Sequence, residues 1–246
     1  TSHGMMIHPK KTRFGIMHGD NTGFAAACGF LAKMLCHVGR SDEGSRIEKL
    51  GRDIRSRLDK LAWNGQFFTH FVSEDPKVKR DLGVDQSRQV SLSNAYALGR
   101  GIKHEQCVRI IQTYQRLRRE MPKTAPGEWF AIYPPFERGF PNAKWEYMNG
   151  GVISIVAGEL ARGAVEHGFE AYAADILKRT AAIARGHDGF LPGTLRGAMP
   201  KRPKTRFHRM DLRKVANIDL VCREKQPITG WTGEAGNDLA RFPVGQ

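Results

Sequence analysis

The chain has 246 residues, of which 40% are hydrophobic and 26% charged, with a formal charge of +14 and a pI near 9.9. That is the make-up of a globular protein able to bury a real core, and the basic excess raises nucleic acids and acidic polymers as partners before any motif is considered. No apolar run approaches the roughly 18 to 20 residues that span a bilayer, so no membrane role is expected; the chain should be soluble, with cytoplasmic and exported locations both open.

Residues 1–19 read as an amino-terminal extension, tag-like at its start. From Phe24 the apolar residues Phe24, Cys28, Leu31, Leu35 and Val38 recur at three or four, which is helix spacing, with Asp20, Asn21 or Thr22 as caps and Gly39 as the stop. Ser41 and Asp42 restart the chain. Ile47, Leu50, Ile54, Leu58 and Leu61 then form a narrow stripe on an amphipathic, outer helix. An aromatic turn, Trp63 to Phe71, follows and leads into a polar loop. The pattern repeats with a helix over Val90 to Gly101, opened by Ser91 or Ser93, and a second helix carrying Cys107, Val108, Ile111, Tyr114 and Leu117. A long loop rich in Pro, aromatics and carboxylates reaches Asn149. The third copy is the apolar run Val152 to Val165, a break at His167-Gly168, and Tyr172, Ala173, Ile176, Leu177, Thr180 and Ala184 at helical spacing.

Links within each hairpin are a few residues, whereas links between hairpins run to a couple of dozen, and loops that long in a compact domain are usually functional. The expected architecture is all-α: a partial (α/α) toroid of about three helical hairpins over 20–240, with the long loops on one face and 241–246 as a tail or linker. Glycines stand at turns and form neither GxGxxG nor GxxxxGK[ST], which argues against a nucleotide-binding α/β fold. Cys28, Cys36, Cys107 and Cys222 match no zinc or disulfide pattern and read as buried thiols. The nine histidines show no HExxH or paired spacing, so neither a metal nor another cofactor is indicated.

Two stretches, Trp63-Asn64-Gly65-Gln66-Phe67-Phe68 and Tyr147-Met148-Asn149-Gly150-Gly151, carry a resemblance to the six-hairpin glycosidases, a group that includes neutral invertases and cellobiose phosphorylases. The first looks like their tryptophan-and-aromatic turn, and the second is similar to their Tyr-x-Asn-Gly-Gly. The resemblance implies a six-hairpin toroid cleaving glycosidic bonds, with inversion. This chain departs from it by showing three hairpins and a fragment near Trp231, so either a first half is missing or another copy of the chain covers the open side.

Glycoside hydrolysis needs one protonated and one ionised carboxyl group across the scissile bond. Glu128 stands among apolar and aromatic neighbours that would raise its pKa toward a general acid. Glu146 lies beside the Asn-Gly-Gly turn, and Asp20 is either a helix cap or a third candidate. Sugar faces stack on aromatics while hydroxyls bind at the rim, so Trp63, His70, Trp129, Tyr133, Trp145, Tyr147 and Asn149 form the expected binding set. Core packing is the competing role for Phe67, Phe68 and Phe71, and applies less to Trp129 and Trp145. For Asn149 the alternative is a capping residue in a tight turn. The substrate is thus a carbohydrate, with a non-catalytic glycan- or polyanion-binding domain and a lyase or epimerase as alternatives. The Pro-broken basic segment Arg196 to Arg209 would bias the site toward acidic sugars; nonspecific nucleic-acid binding and a solvated loop remain the other readings.

Overall fold

The computed structural model describes residues 15–73, 75, 77 and 81–198. Most of the basic segment, the stretch around Trp231, Cys222 and the tail 241–246 lie outside them.

Three helical hairpins follow one another. Helices α1 (His18–His37) and α2 (Ser41–Leu61) form the first, α3 (Ser93–Ala97) and α4 (His104–Glu120) the second, and α5 (Ser154–Glu166) and α6 (Glu170–Arg185) the third. The turns of the first and third are built alike. Gly39 and Gly168 adopt φ of +80° and +87°. In the first turn Gly39 N–H reaches Cys36 C=O and Arg40 N–H reaches Leu35 C=O; in the third, Gly168 and Phe169 reach Val165 and Ala164 in the same way. This double bond satisfies the last helical carbonyls and requires a left-handed residue, which glycine supplies without a Cβ clash.

The first helix of each hairpin is inner and the second outer: α1 packs on α3 and α3 on α5, while α2, α4 and α6 pack behind their partners. The chain is therefore an all-α partial toroid. Its hairpin interfaces use different chemistry. α1 and α2 approach through small residues, with Gly44 and Gly51 of α2 buried against Ala32, Cys36, Ala25 and Cys28 of α1. α4 instead offers Cys107, Ile110, Ile111, Tyr114 and Leu117, which join Val156, Leu160, Tyr172 and Ile176 in one core.

Each long loop returns to the start of its own hairpin through a two-stranded antiparallel ladder. β1 (Gly15–Met17) pairs with β2 (Phe71–Ser73), β3 (Val90–Ser91) with β4 (Ile132–Tyr133), and β5 (Val152–Ile153) with β6 (Thr194–Leu195). The loops are also tied to one another. Asn94 at the start of α3 exchanges two hydrogen bonds with the Phe68 backbone, of 2.9 and 3.0 Å, and Ala131 bridges Leu92 and Gly151. The loops thus gather at the amino-terminal ends of the inner helices, as the hairpin repeat predicts.

Four details differ from the sequence expectation. α1 begins at His18 behind an extended Met17, so Asp20 is an exposed first-turn residue and not the cap. α3 is a single short helix, because Val90 and Ser91 pair with the incoming loop and Leu98 to Arg100 tighten into turns. Leu50 and Leu61 are exposed, their place in the α2 interface being taken by Gly44 and Gly51. Cys36 is exposed, while Cys28 and Cys107 are buried.

Candidate functional site

The Trp145–Gly151 turn is held by its own backbone. Trp145 N–H bonds Asn149 C=O at 2.7 Å, Asn149 N–H bonds Glu146 C=O at 2.8 Å, and Gly151 N–H bonds Tyr147 C=O at 2.9 Å. This tight winding puts Trp145 and Tyr147 at φ of 71° and 39°, a region that non-glycine residues occupy sparingly and that clusters at ligand sites. The Asn149 side chain completes the frame. Its Oδ1 accepts from Phe136 N–H at 2.7 Å, and its Nδ2 donates to the carbonyls of Phe136 and Asn142. Buried and fully bonded, Asn149 ties the two halves of the loop, which is the capping alternative in a stronger form.

The frame presents a shelf. The Trp145 ring stands 6.2 Å from those of Tyr133 and Phe130, Tyr147 is 57% exposed beside it, and Lys144 lies over the indole at 5.7 Å while pairing with Glu137. Half-exposed Glu146 meets Arg196 at 3.1 Å. Gly197 fastens this corner, donating to the Trp145 carbonyl at 2.9 Å in a gap where any Cβ would strike the Gly150 carbonyl. Aromatic faces next to a carboxylate and two cations can stack a sugar ring and bond its hydroxyls. Tyr133, Trp145, Glu146 and Tyr147 are thus brought together.

Glu128 and Trp129 point the other way. Glu128 is fully buried; Tyr172 Oη donates to it at 2.5 Å, and the Arg179 guanidinium straddles it with bonds of 2.7 and 2.9 Å. Arg179 continues to Asp175, which also holds Arg118, and lies 4.5 Å over the Trp129 ring. Burial, and then the Glu128 carboxylate, push the Tyr172 hydroxyl far above its ordinary pKa, so it stays a donor. Both carboxylate oxygens are occupied and no solvent reaches them. The apolar surroundings foreseen for Glu128 are present, but a guanidinium shares them, and Trp129 belongs wholly to the core. The residues overlooked in the sequence are Tyr172 and Arg179; seven apart on α6, they lie on one helical face and mark a buried polar partner.

A second group occupies the start of α1. His18 is buried, stacked on Phe68 at 5.3 Å with Nδ1 3.2 Å from the Thr69 carbonyl. Burial above all, with the fields of His70 and Arg100, lowers its pKa to about 4. Trp63 packs edge-on against Phe68 at 5.0 Å, and His70 is half-buried next to Thr69. Asp20 stands exposed in the same helical turn. These residues share the loop face with the Trp145 shelf.

No protein-family model and no curated protein matches this chain. Solved structures do. An uncharacterized conserved protein from Thermus thermophilus matches with a TM-score of 0.53 and 15% identity over 75% of this chain and 43% of its own. A GH63 mannosylglycerate hydrolase from the same organism, in complex with glucose, matches with a TM-score of 0.52, 15% identity and coverages of 75% and 43%. The same hydrolase in complex with Tris gives 0.51, 17%, 75% and 42%. The chain therefore shares the fold of these structures over three quarters of its own length, and spans less than half the length of these proteins.

Proposed function

We propose that this chain carries the sugar-binding face of a carbohydrate-active protein of the glycoside hydrolase type, and that the Tyr133, Trp145, Glu146 and Tyr147 shelf is where the sugar sits. The observation that carries the reading is the shelf itself, three aromatics and a carboxylate held by a strained turn at the amino-terminal ends of inner helices. Its support is the scaffold shared with a mannosylglycerate hydrolase. On this reading hydrolysis uses Glu146 as one carboxylate, and the second comes from Asp20 or from outside the described residues, since Glu128 is engaged by Arg179 and Tyr172. Acidic sugars are favoured because Arg196 and Lys144 border the shelf.

Binding without turnover is the second reading, favoured by the ion pair that occupies Glu146. The test is titration of Trp fluorescence with neutral and uronate-bearing oligosaccharides and with mannosylglycerate, alongside product analysis. Trp145→Ala is expected to weaken binding about tenfold, the loss of a stacking contact worth about 1 kcal/mol or more. Glu146→Gln is expected to abolish any turnover while leaving sugar affinity within a few fold. Saturable binding that Trp145→Ala leaves unchanged would remove the sugar from the shelf.

A further inference from the structure

A concave surface lies along the first hairpin. α1, α2 and the turn Gly99 to Gly101 enclose a crevice of about 790 Å³, within the size range of small-molecule pockets. Its walls carry Lys33, Arg52, Arg55 and Arg100, with Glu48 as their acid, and Glu48 is already paired with Arg52 at 2.8 Å. Among the described residues no carboxylate is in ion-pair range of Lys33, Arg55 or Arg100.

The unsatisfied group is Arg55. Its Nη2 donates to the Arg100 carbonyl at 3.2 Å, but its Nε is buried and has no partner. Arg100 is fixed beside it, donating to the Gly19 carbonyl at 2.8 Å and to Thr22 Oγ1 at 3.2 Å, with Tyr96 beneath its guanidinium at 5.2 Å. Gly101 closes the end of the crevice, where a Cβ would come within 3.3 Å of Arg55 Nη2. A half-buried guanidinium set next to a second cation, with no carboxylate in ion-pair range of either among the described residues, is relieved by an oxyanion, whose spaced oxygens match the planar donor fork.

We infer that this crevice binds a phosphate- or sulfate-class oxyanion at Arg55, with Arg100 and Lys33 adding positive potential. The crevice is larger than the free ion, so an organic molecule bearing the group also fits. The site shares no residue with the Trp145 shelf and does not depend on the carbohydrate reading.

The experiment follows thermal unfolding with inorganic phosphate at constant ionic strength, chloride making up the difference, and repeats it with sulfate and with a hexose phosphate. The expected result is a saturable rise in Tm with phosphate. Arg55→Gln should raise the half-saturating concentration about tenfold, as loss of one charge-assisted bond would. Should that variant fail to fold, Gly29→Glu serves: a Cβ at Gly29 meets nothing within 4 Å, so the new carboxylate enters the crevice without displacing the helix and should block the anion. Tighter binding of the hexose phosphate than of the free ion assigns the occupant as an organic ester, equal binding assigns the ion, and both uphold the site. No shift beyond that of chloride, or a shift that survives Gly29→Glu, overturns it.

Discussion

Glu128 shows how a residue's surroundings decide its role. Its apolar neighbours are visible in the sequence, but Arg179 and Tyr172 arrive from 51 and 44 positions away, and no local pattern announces a partner at that distance. Removing one member of a buried ion pair leaves the other charge uncompensated, at about 3–5 kcal/mol. Arg179 keeps Asp175 and its side chain is 20% exposed, so Glu128→Gln is expected to lie at the low end, about 3 kcal/mol, measured by urea unfolding. A variant of unchanged stability that loses glycan turnover would return Glu128 to the chemistry. His18 was legible only as a histidine without a metal partner. Its folded pKa of about 4 lies below the ordinary 6.5, so between those values the unfolded chain binds the extra proton. The neutral ring's contribution is therefore fully present above about pH 6.5 and is lost as pH falls toward 4, by about 3 kcal/mol in all. Unfolding curves from pH 7 to 4 should show this slope, and His18→Gln should flatten it; an equally steep slope in the variant would assign the effect to other groups.

At the scale of elements, the helices and their turns were the legible part. Gly39 and Gly168 each follow an apolar-periodic run and each forms the left-handed cap that such a position calls for. The ladders were not legible, because strands two or three residues long carry no alternation to read, and β3 shortened α3 by taking its first residues. The α1 to α2 contact differs from the stripe for another reason: of the stripe's leucines Leu58 is buried but Leu50 and Leu61 are exposed, because close approach of the helices selects Gly44 and Gly51, seven apart. This gives a prediction in which two effects oppose. Gly51→Ala gains about 1 kcal/mol of helix propensity, but its Cβ would stand 2.9 Å from the Ala25 carbonyl and 3.0 Å from Cys28 Cβ. Backbone cannot swing aside, and overpacking of this kind costs about 1–3 kcal/mol. Net destabilisation of about 1 kcal/mol is expected in chemical unfolding, while Gly29→Ala, with open space around it, should stabilise; the reverse order would show that the helices can part at no cost.

For the whole molecule, the repeat of hairpin and loop was enough to place the loops on one face, since each inner helix must start where the previous loop ends. Nothing comparable in the sequence says what stands beside the outermost inner helix. Along α1 and its C-cap, Phe24, Leu31 and Val38 recur every seven residues, with Met34 between the last two, and they are 56%, 44%, 66% and 66% exposed in the order Phe24, Leu31, Val38, Met34. At the opposite edge of the partial toroid α5 exposes Ile155 and Val165. Apolar side chains aligned on one helical face, on an element that is inner by its packing, form a surface that water does not favour. We propose that a second copy of the chain covers it. Sedimentation velocity across a hundredfold range of concentration should therefore show self-association. Each large side chain withdrawn from water contributes about 1.5–3 kcal/mol, so Leu31→Glu with Met34→Glu should weaken association by at least about tenfold. Both positions are exposed, so the double variant should unfold at nearly the same urea concentration as the parent when both are measured dilute. A chain that sediments as a monomer at every concentration would show that this stripe is tolerated in water, and association that survives both glutamates would move the contact to another face.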